Sequence, residues 1–196
     1  MAKLKNYNGR YCESEYESAF IAFLQSVGWH YLAGNQIPRS YSEVLIAEDF
    51  KAFIAKTSPN LLPEETGQLY DTVRLAGAES DFATLHKVYK WMVDGVQFTP
   101  QNGLPVMVPL IDFEMPENNI FRVVNQFTVE YINNSQRATR RPDVLLFVNG
   151  MPLCVIELKN PADANATIYD AWEQITIRYW RDIPQLLHYC PLACIS

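Results

Sequence analysis

Three charged side chains lie next to apolar runs in this 196-residue sequence, and their types could together do chemistry. Asp143 directly precedes one hydrophobic run, and Glu157 and Lys159 lie two residues apart at the end of the next. Charged groups between apolar neighbours are costly to desolvate, so they are rare there unless they are paired or serve a function. Adjacent carboxylates repel each other, so the arrangement favours a bound divalent cation. A surface ion pair is the alternative interpretation.

Two apolar, β-branched segments must position these side chains, residues 144–148 and 153–159. Asn149-Gly150 between them is the strongest short signal for a two-residue hairpin turn. Antiparallel pairing across this turn brings the start of the first strand beside the end of the second. The sequence therefore predicts that Asp143 lies at the open end of a hairpin, next to the carboxylate that ends the second strand.

Glu157 and Lys159 are expected to project together, because side chains at i and i+2 of a strand share a face, and Leu158 then points into the core. Mg²⁺ suits such a cluster, since it takes oxygen ligands and commonly uses one or two carboxylates plus a substrate phosphate. The chemistry that follows is phosphodiester hydrolysis. In it, Lys159 orients the attacking water or stabilises the developing negative charge.

A first helix over residues 14–27 is predicted by apolar residues at the spacing of one helical face, namely Phe20, Phe23, Leu24 and Val27. Glu17 lies on the same face, so its carboxylate is expected to point toward the interior and to need a partner or a metal. A carboxylate near a helix N-terminus also interacts favourably with the helix dipole, and this interpretation stays open.

The rest of the sequence predicts an α/β domain, with a helical part over about residues 14–93 and a sheet-rich part over about residues 105–196. The helical part continues with three periodic segments, residues 42–56, 64–76 and 81–93. The sheet-rich part contains extended or strand-like segments at residues 106–113, 126–131 and 189–195. A last helix ends before Pro184 and carries one apolar face, formed by Ile168, Ala171, Trp172, Ile175 and Tyr179.

The composition excludes several classes of protein. Hydrophobic residues make up 48% of the chain and charged residues 19%, without biased repeats, which excludes disordered and fibrous proteins. No apolar stretch is long enough to cross a bilayer, and the N-terminus lacks the apolar core of a signal peptide, so a cytoplasmic protein without membrane contact is expected. The cysteines form no CxxC pair and are expected to be buried and reduced (Cys12, Cys154, Cys190 and Cys194).

The net charge of −6 disfavours a domain whose whole surface binds nucleic acid. Two groups of arginines can still form a local basic patch, namely Arg137, Arg140 and Arg141, and then Arg178 and Arg181 on the predicted last helix. Solvated charge on a mixed surface is the alternative interpretation of these residues.

Four segments of the sequence resemble one family. RPDVLLFVNGMPLCVIELKNP resembles the nuclease core of the restriction (R) subunit of type I restriction-modification enzymes, a PD-(D/E)xK endonuclease domain. NNIFRVVNQFTVE resembles the strand that enters this core, ESEYESAFIAFLQSVGW resembles the opening helix, and QITIRYWRDIPQLLHY resembles a helix that carries a Gln and a Tyr. The resemblance implies a restriction-endonuclease-like fold, with a mixed central sheet flanked by helices and an additional helical layer from the middle of the chain.

The resemblance also implies roles for individual residues. Asp143 and Glu157 match the metal ligands, the backbone carbonyl of Leu158 completes the metal site, and Lys159 matches the catalytic lysine. Glu17 matches the acidic residue of the opening helix and is a further candidate ligand. Glu13 and Glu15 are fallbacks for this position, and Arg141, Arg178 and Arg181 are candidate DNA contacts.

Gln174 and Tyr179 match a motif that the family writes Q-x-x-x-Y, but here four residues separate the pair instead of three. One residue of α-helix corresponds to about 100° of rotation. Tyr179 is therefore expected in register and Gln174 displaced, unless the helix is bulged or starts differently. Core packing is the alternative interpretation of Tyr179.

The resemblance implies the Mg²⁺-dependent endonuclease domain of a type I site-specific deoxyribonuclease, with Mn²⁺ able to substitute. Such a domain cleaves double-stranded DNA in host defence against foreign DNA, and its partners through the full-length chain are the modification and specificity subunits. No G-x-x-x-x-G-K-[ST] phosphate loop occurs in the sequence, so ATP is expected as a cofactor of the full-length subunit only and not of these 196 residues.

Residues 1–196 are accordingly expected to form a single endonuclease domain at the N-terminus of a longer chain. Two alternatives stay open: a repair or junction-resolving nuclease of the same fold, and a noncatalytic docking module.

Overall fold

A mixed five-stranded sheet, with helices packed on it, organises the computed structural model of the chain. The structure describes residues 13–76, 82–101, 103–159 and 167–196. The helices are α1 (Glu13–Ser26), α2 (Ala47–Thr57), α3 (Pro63–Ala76), α4 (Phe82–Asp94), α5 (Ile168–Glu173), α6 (Trp180–Asp182) and α7 (Pro184–Leu187), with a π-helix (Gln174–Tyr179) between α5 and α6. The strands are β1 (His30–Ala33), β2 (Val96–Phe98), β3 (Val106–Val108), β4 (Phe121–Asn125), β5 (Val129–Asn133), β6 (Gln136–Arg140), β7 (Val144–Val148), β8 (Met151–Glu157) and β9 (Leu192–Ile195).

The strand order of the main sheet is β1-β4-β7-β8-β9. The three central strands are antiparallel, whereas β1 runs parallel to β4 and β9 runs parallel to β8. Two separate two-stranded sheets accompany it, β2 with β3 and β5 with β6. The expected α/β class with a mixed central sheet and flanking helices is thus confirmed.

The predicted hairpin of β7 and β8 is present. Asn149 and Gly150 have φ angles of +51° and +77°, which are the left-handed values that a type I′ turn requires. A Cβ on Gly150 would overlap the backbone carbonyl of Ile46, so this position needs glycine for space as well as for φ. Val144 pairs with Ile156, and this register puts the positions just beyond them at one end of the sheet.

The two faces of the hairpin contact different layers. Leu145 and Val155 belong to the large core that includes α2, α3 and the π-helix. Val144, Ile156 and Leu158 belong to a second cluster beneath α1. The alternation of side chains along the strands therefore separates the two layers, and Leu158 points into the core as expected.

Several predicted boundaries differ in the structure. The second helix begins at Ala47 instead of residue 42, because the preceding segment forms a buried loop in which the amide of Ile46 donates to the carbonyl of Gly150 (2.8 Å). The extended segment 106–113 is a strand only at Val106–Val108. Beyond it, the Asp112 carboxylate accepts hydrogen bonds from the Met115 amide and the Asn118 side chain and curls the chain into a turn.

The apolar face predicted for the last helix is only partly buried. Ala171, Ile175 and Tyr179 are buried, but Ile168 and Trp172 are exposed. The face rotates along the segment because the α-helix changes to a π-helix after Glu173, as described below.

The cysteine prediction is correct for one thiol and wrong for another. Cys154 is buried, Cys190 is half-buried, and Cys194 is exposed because β9 lies at the edge of the sheet. All three are free thiols, as expected. Cys12 lies outside the described residues. No helix within the described ranges is long and apolar enough to cross a membrane.

Candidate active site

The open end of the β7–β8 hairpin brings Asp143 and Glu157 together, as the sequence predicts. Asp143 is half-buried and its Oδ2 accepts a hydrogen bond from the backbone amide of Leu158 (2.8 Å), which fixes it across the two strands. Glu157 is fully buried. A buried carboxylate costs free energy unless its oxygens receive hydrogen bonds, so the partners of Glu157 determine what it can do.

Two side chains of the π-helix supply those partners. The Tyr179 hydroxyl donates to Oε1 of Glu157, and Nε2 of Gln174 donates to Oε2, each at 2.6 Å. Nε2 of Gln174 also lies 2.8 Å from the Tyr179 hydroxyl. Both oxygens of Glu157 therefore receive a neutral donor, which holds the carboxylate in one orientation.

Lys159 joins the same network. Its ammonium donates to Oε1 of Gln174 (3.3 Å), and its side chain is half-buried. Glu157 and Lys159 thus both reach Gln174, which agrees with their predicted projection from one face. Because an ammonium has three donors and Gln174 receives one of them, Lys159 keeps donors for a water or a phosphate oxygen.

The π-helix resolves the spacing of Gln174 and Tyr179. Five residues of α-helix turn through about 500°, which would leave the two side chains about 140° apart. In the structure the whole segment from Gln174 to Tyr179 is π-helical, and a π-turn closes between residues i and i+5. The expected displacement of Gln174 is therefore wrong, and the bulged helix is what the structure contains. The sequence signal was the one extra residue between the two polar positions.

The pKa of Glu157 is raised from its ordinary value of 4.5 to about 8. Burial is the main cause, and the nearby Asp143 carboxylate raises this pKa further. The hydrogen bond from Tyr179 and the charge of Lys159 lower it, but only in part. The donors around Glu157 therefore compensate only part of the cost of ionising it, and in the metal-free chain this side chain keeps its proton to higher pH than an ordinary glutamate.

Glu17 lies at the same end of the sheet, one strand away. Its half-buried carboxylate accepts a hydrogen bond from Nδ2 of Asn125, the last residue of β4, which pairs with Val144. The Tyr31 hydroxyl donates to Oδ1 of the same Asn125 side chain (2.9 Å). Glu15 is half-buried, and the side chain of Glu13 lies outside the described residues. No group of three His, Cys, Asp or Glu side chains within the described segments is placed to hold a metal ion. Asp143 is the carboxylate that interacts with Glu157, and Glu17 as a further ligand stays a prediction.

The candidate arginines divide into two groups. Arg141 and Arg178 line a small pocket beside Gln174 and Tyr179. Arg181 instead pairs with the carboxylate of Asp182 (2.7 Å).

Asp182 is a residue that the sequence reasoning missed. It is buried, and it also pairs with Arg140 (2.7 Å from Nε to Oδ2), which joins the end of β6 to the end of the helical segment. The alternating charges of Arg181 and Asp182 before Pro184 were the available signal, but they carry no information about a partner 42 residues away.

Comparisons with known proteins show which family the sequence is similar to. The family model described as "Type I restriction enzyme R protein N terminus" matches residues 10–196. The MjaIXP type I restriction enzyme endonuclease subunit of Methanocaldococcus jannaschii is 33% identical over 190 residues, which is 92% of this chain and 18% of that protein. The HindI type I restriction enzyme endonuclease subunit of Haemophilus influenzae is 34% identical over 199 residues, which is 94% of this chain and 18% of that protein.

The chain thus spans about a fifth of the length of these two relatives. The family match covers nearly the whole sequence and includes every residue of the network around Glu157. The chain therefore belongs to the family of type I restriction enzyme R protein N-terminal regions.

Proposed function

We propose that this chain is the Mg²⁺-dependent endonuclease domain of a type I restriction enzyme and cleaves double-stranded DNA in defence against foreign DNA. One observation carries the proposal: a fully buried glutamate lies beside a second carboxylate, is oriented by neutral donors, and has a lysine attached to the same network. The names of the relatives as endonuclease subunits support the same reaction class.

The residues present fit a magnesium ion. Asp143 and Glu157 offer carboxylate oxygens, the backbone carbonyl of Leu158 is a third candidate ligand, and Mg²⁺ commonly binds through one or two carboxylates while keeping waters and substrate phosphate. The raised pKa of Glu157 supports this fit, because a cation between the two carboxylates would offset their repulsion. Mn²⁺ takes similar ligands and would substitute. When bound, the ion supplies Lewis-acid polarisation of the scissile phosphate.

The residues of the chain supply the rest of the chemistry. Tyr179 and Gln174 hold both oxygens of Glu157, so the carboxylate keeps its orientation when a substrate arrives. Lys159, positioned by Gln174, orients the attacking water or donates to the negative charge that develops on the phosphate. The burial of Glu157 keeps bulk water away from the carboxylate and strengthens these electrostatic interactions.

The remaining functions would belong to the longer protein. Relatives about five times the length of this chain leave room for ATP-dependent domains and for contacts with modification and specificity subunits. With a net charge of −6, the chain is expected to contribute little to overall DNA affinity, which those partners would supply. We place the assembly in the cytoplasm, where foreign DNA is met.

Calorimetry with Mg²⁺ or Mn²⁺ tests the metal site. The wild-type chain is expected to bind either ion, and Asp143→Ala is expected to abolish binding because it removes one of two carboxylate ligands. Glu114→Ala, which removes an exposed carboxylate elsewhere, is the matched control and should bind as the wild type does. Binding that survives in Asp143→Ala would exclude this site, and absence of binding in the wild type would favour a noncatalytic module.

Cleavage assays on the complete restriction complex test the role of Lys159. Lys159→Ala is expected to lower the cleavage rate by about 10²- to 10³-fold, the usual effect of losing one donor to developing charge. Metal binding should be retained, because lysine is not a ligand. Lys90→Ala, which removes an exposed ammonium on α4, is the matched control. Full cleavage by Lys159→Ala would contradict the proposed mechanism.

A further inference from the structure

A small basic pocket of about 190 Å³ lies between the end of β6 and the π-helix. The residues that line it are Thr139, Arg140, Arg141, Gln174, Arg178 and Tyr179. Three of these six residues are arginines, on a protein whose net charge is −6. The pocket therefore concentrates positive charge at one place on an otherwise acidic chain.

The three arginines are not equally available to a ligand. Arg140 is committed to the buried carboxylate of Asp182, and its side chain is mostly covered. Arg178 has a half-exposed side chain whose pairing with Glu173 is loose, at 3.6 Å. Arg141 is exposed and forms no ion pair with any residue in the described part of the chain. Arg141 and Arg178 thus keep guanidinium donors that can bind an anion.

The wall of the pocket is also the support of the candidate active site. Gln174 and Tyr179 line the pocket and donate to the two oxygens of Glu157. A ligand in the pocket would be separated from that carboxylate by one layer of side chains. Successive phosphates of a DNA strand are spaced about 3.4 Å along the helix axis. A strand with one phosphate at Glu157 therefore has its next phosphates close enough to reach the pocket.

We propose that this pocket binds a backbone phosphate of the DNA strand being cut, adjacent to the scissile one, through the guanidinium groups of Arg141 and Arg178. The inference rests on the proposed nuclease function and specifies how the substrate strand is held. Guanidinium groups suit this task because their fork of donors matches the oxygens of a phosphate. Arg181, paired with Asp182, has no part in it.

DNA binding by the 196-residue chain without metal tests the proposal, because no cleavage then occurs. The affinity for a fluorescent 30-base-pair duplex, a length of roughly three helical turns, is measured by anisotropy over a series of salt concentrations that begins at low ionic strength. The double variant Arg141→Ala/Arg178→Ala should bind about tenfold more weakly and lower the slope of log K against log salt by about 1, which corresponds to one lost phosphate contact.

Arg137→Ala is the matched control. Arg137 is an exposed arginine of the same hairpin, it pairs loosely with Glu130 (3.4 Å), and it does not line the pocket. This variant loses one positive charge outside the pocket and is expected to keep the wild-type slope to within experimental error. The double control Arg137→Ala/Lys90→Ala removes as many positive charges as Arg141→Ala/Arg178→Ala. Equal losses of affinity and of salt slope in these two variants would show an effect of net charge alone and would overturn the proposal.

Two further results keep the test decisive. Arg141→Lys/Arg178→Lys keeps both charges without the fork, so it should restore the salt slope while recovering only part of the affinity. Circular dichroism and thermal unfolding verify that each variant is folded. A wild-type chain that shows no salt-dependent binding would also overturn the proposal. A chain that binds DNA through the pocket while the complete complex does not cleave would refute the nuclease function and leave the pocket intact.

Discussion

Glu157 and Asp182 are two buried carboxylates, yet their pKa values move in opposite directions. Glu157 contacts the π-helix, and Asp182 ends the short helix that follows it. Glu157 receives two neutral donors and lies beside Asp143, and its pKa rises to about 8. Asp182 receives the guanidinium groups of Arg181 and Arg140, and its pKa falls to about 2. Burial opposes ionisation in both cases, so the charge of the partners decides the direction.

The difference separates a carboxylate whose charge is balanced within the chain from one that our proposal assigns to a metal ion. Asp182 has its cations within the chain, so its ion pairs hold the β5–β6 hairpin against the end of the helical segment. Glu157 has hydrogen-bond donors that orient it but too little positive charge to compensate it. Strongly perturbed carboxylates of the second kind are typical of functional sites, because a cation or substrate completes them.

The largest expected effect concerns Glu157 and pH. Between pH 4.5 and 8 the folded, metal-free chain holds a proton on Glu157 that the unfolded chain has released, so the free energy of unfolding falls as the pH rises through this window. The fall is on the order of 5 kcal/mol, at about 1.4 kcal/mol per pKa unit. Urea unfolding in EDTA at several pH values measures it.

Glu157→Gln removes the titrating group and should flatten this pH dependence, whereas Glu114→Gln, an exposed position, should leave it unchanged. Mg²⁺ should restore the stability of the wild type near pH 8, because the ion replaces the proton. Equal pH slopes for the wild type and Glu157→Gln would mean that Glu157 is not the perturbed group.

The next effect concerns the hydroxyl of Tyr179. Tyr179→Phe removes the donor to Oε1 of Glu157, so the pKa of Glu157 should rise further and the affinity for Mg²⁺ should fall by about 10- to 100-fold, as is usual for losing a group that orients a metal ligand. Tyr189→Phe is the control, because it removes another buried hydroxyl, which donates to the carbonyl of Val73 (2.7 Å). Calorimetry that finds the two variants equal in Mg²⁺ affinity would contradict the orienting role.

The smallest effect concerns Asp182. Asp182→Asn should lower the free energy of unfolding by about 1 to 2 kcal/mol near neutral pH, since the carboxylate is buried while its partners are partly exposed. In the wild type this contribution is present above pH 3.8 and is lost as the pH falls toward 2, where the carboxylate becomes protonated in the folded state. Acid titration followed by circular dichroism measures it.

Asp71→Asn, which breaks the exposed pair of Asp71 and Arg74 on α3, should cost less than about 0.5 kcal/mol. Mg²⁺ should change the stability of neither variant relative to the wild type. If Asp182→Asn changed the effect of Mg²⁺ on the free energy of unfolding, Asp182 and Glu157 would be coupled. The two carboxylates would then not have separate roles.

Local patterns predicted the part of the site that one hairpin builds. Asn149-Gly150 sets the turn, the apolar runs on each side set the strands, and the register then brings Asp143 to Glu157. This prediction succeeded because all of its interactions lie within about 15 residues of sequence, and because strand alternation places Leu158 away from Glu157.

Other features depended on contacts that no local pattern contains. A period of 3.6 residues put Ile168 and Trp172 on the buried face, and both are exposed because the segment is not a uniform α-helix. Cys194 looks apolar in sequence, but it lies on an edge strand where burial depends on what packs beside it. Arg140 and Asp182 find each other only because β6 lies against the end of the helical segment.

The sequence by itself determined the α/β class, the hairpin and the three residues Asp143, Glu157 and Lys159 at its open end, because periodicity and turn chemistry act over short distances. Only the tertiary structure decided that Gln174 reaches Glu157. That contact depends on a π-helix, a rare conformation that no local pattern predicts, and it lets two donors from a distant segment satisfy one buried carboxylate.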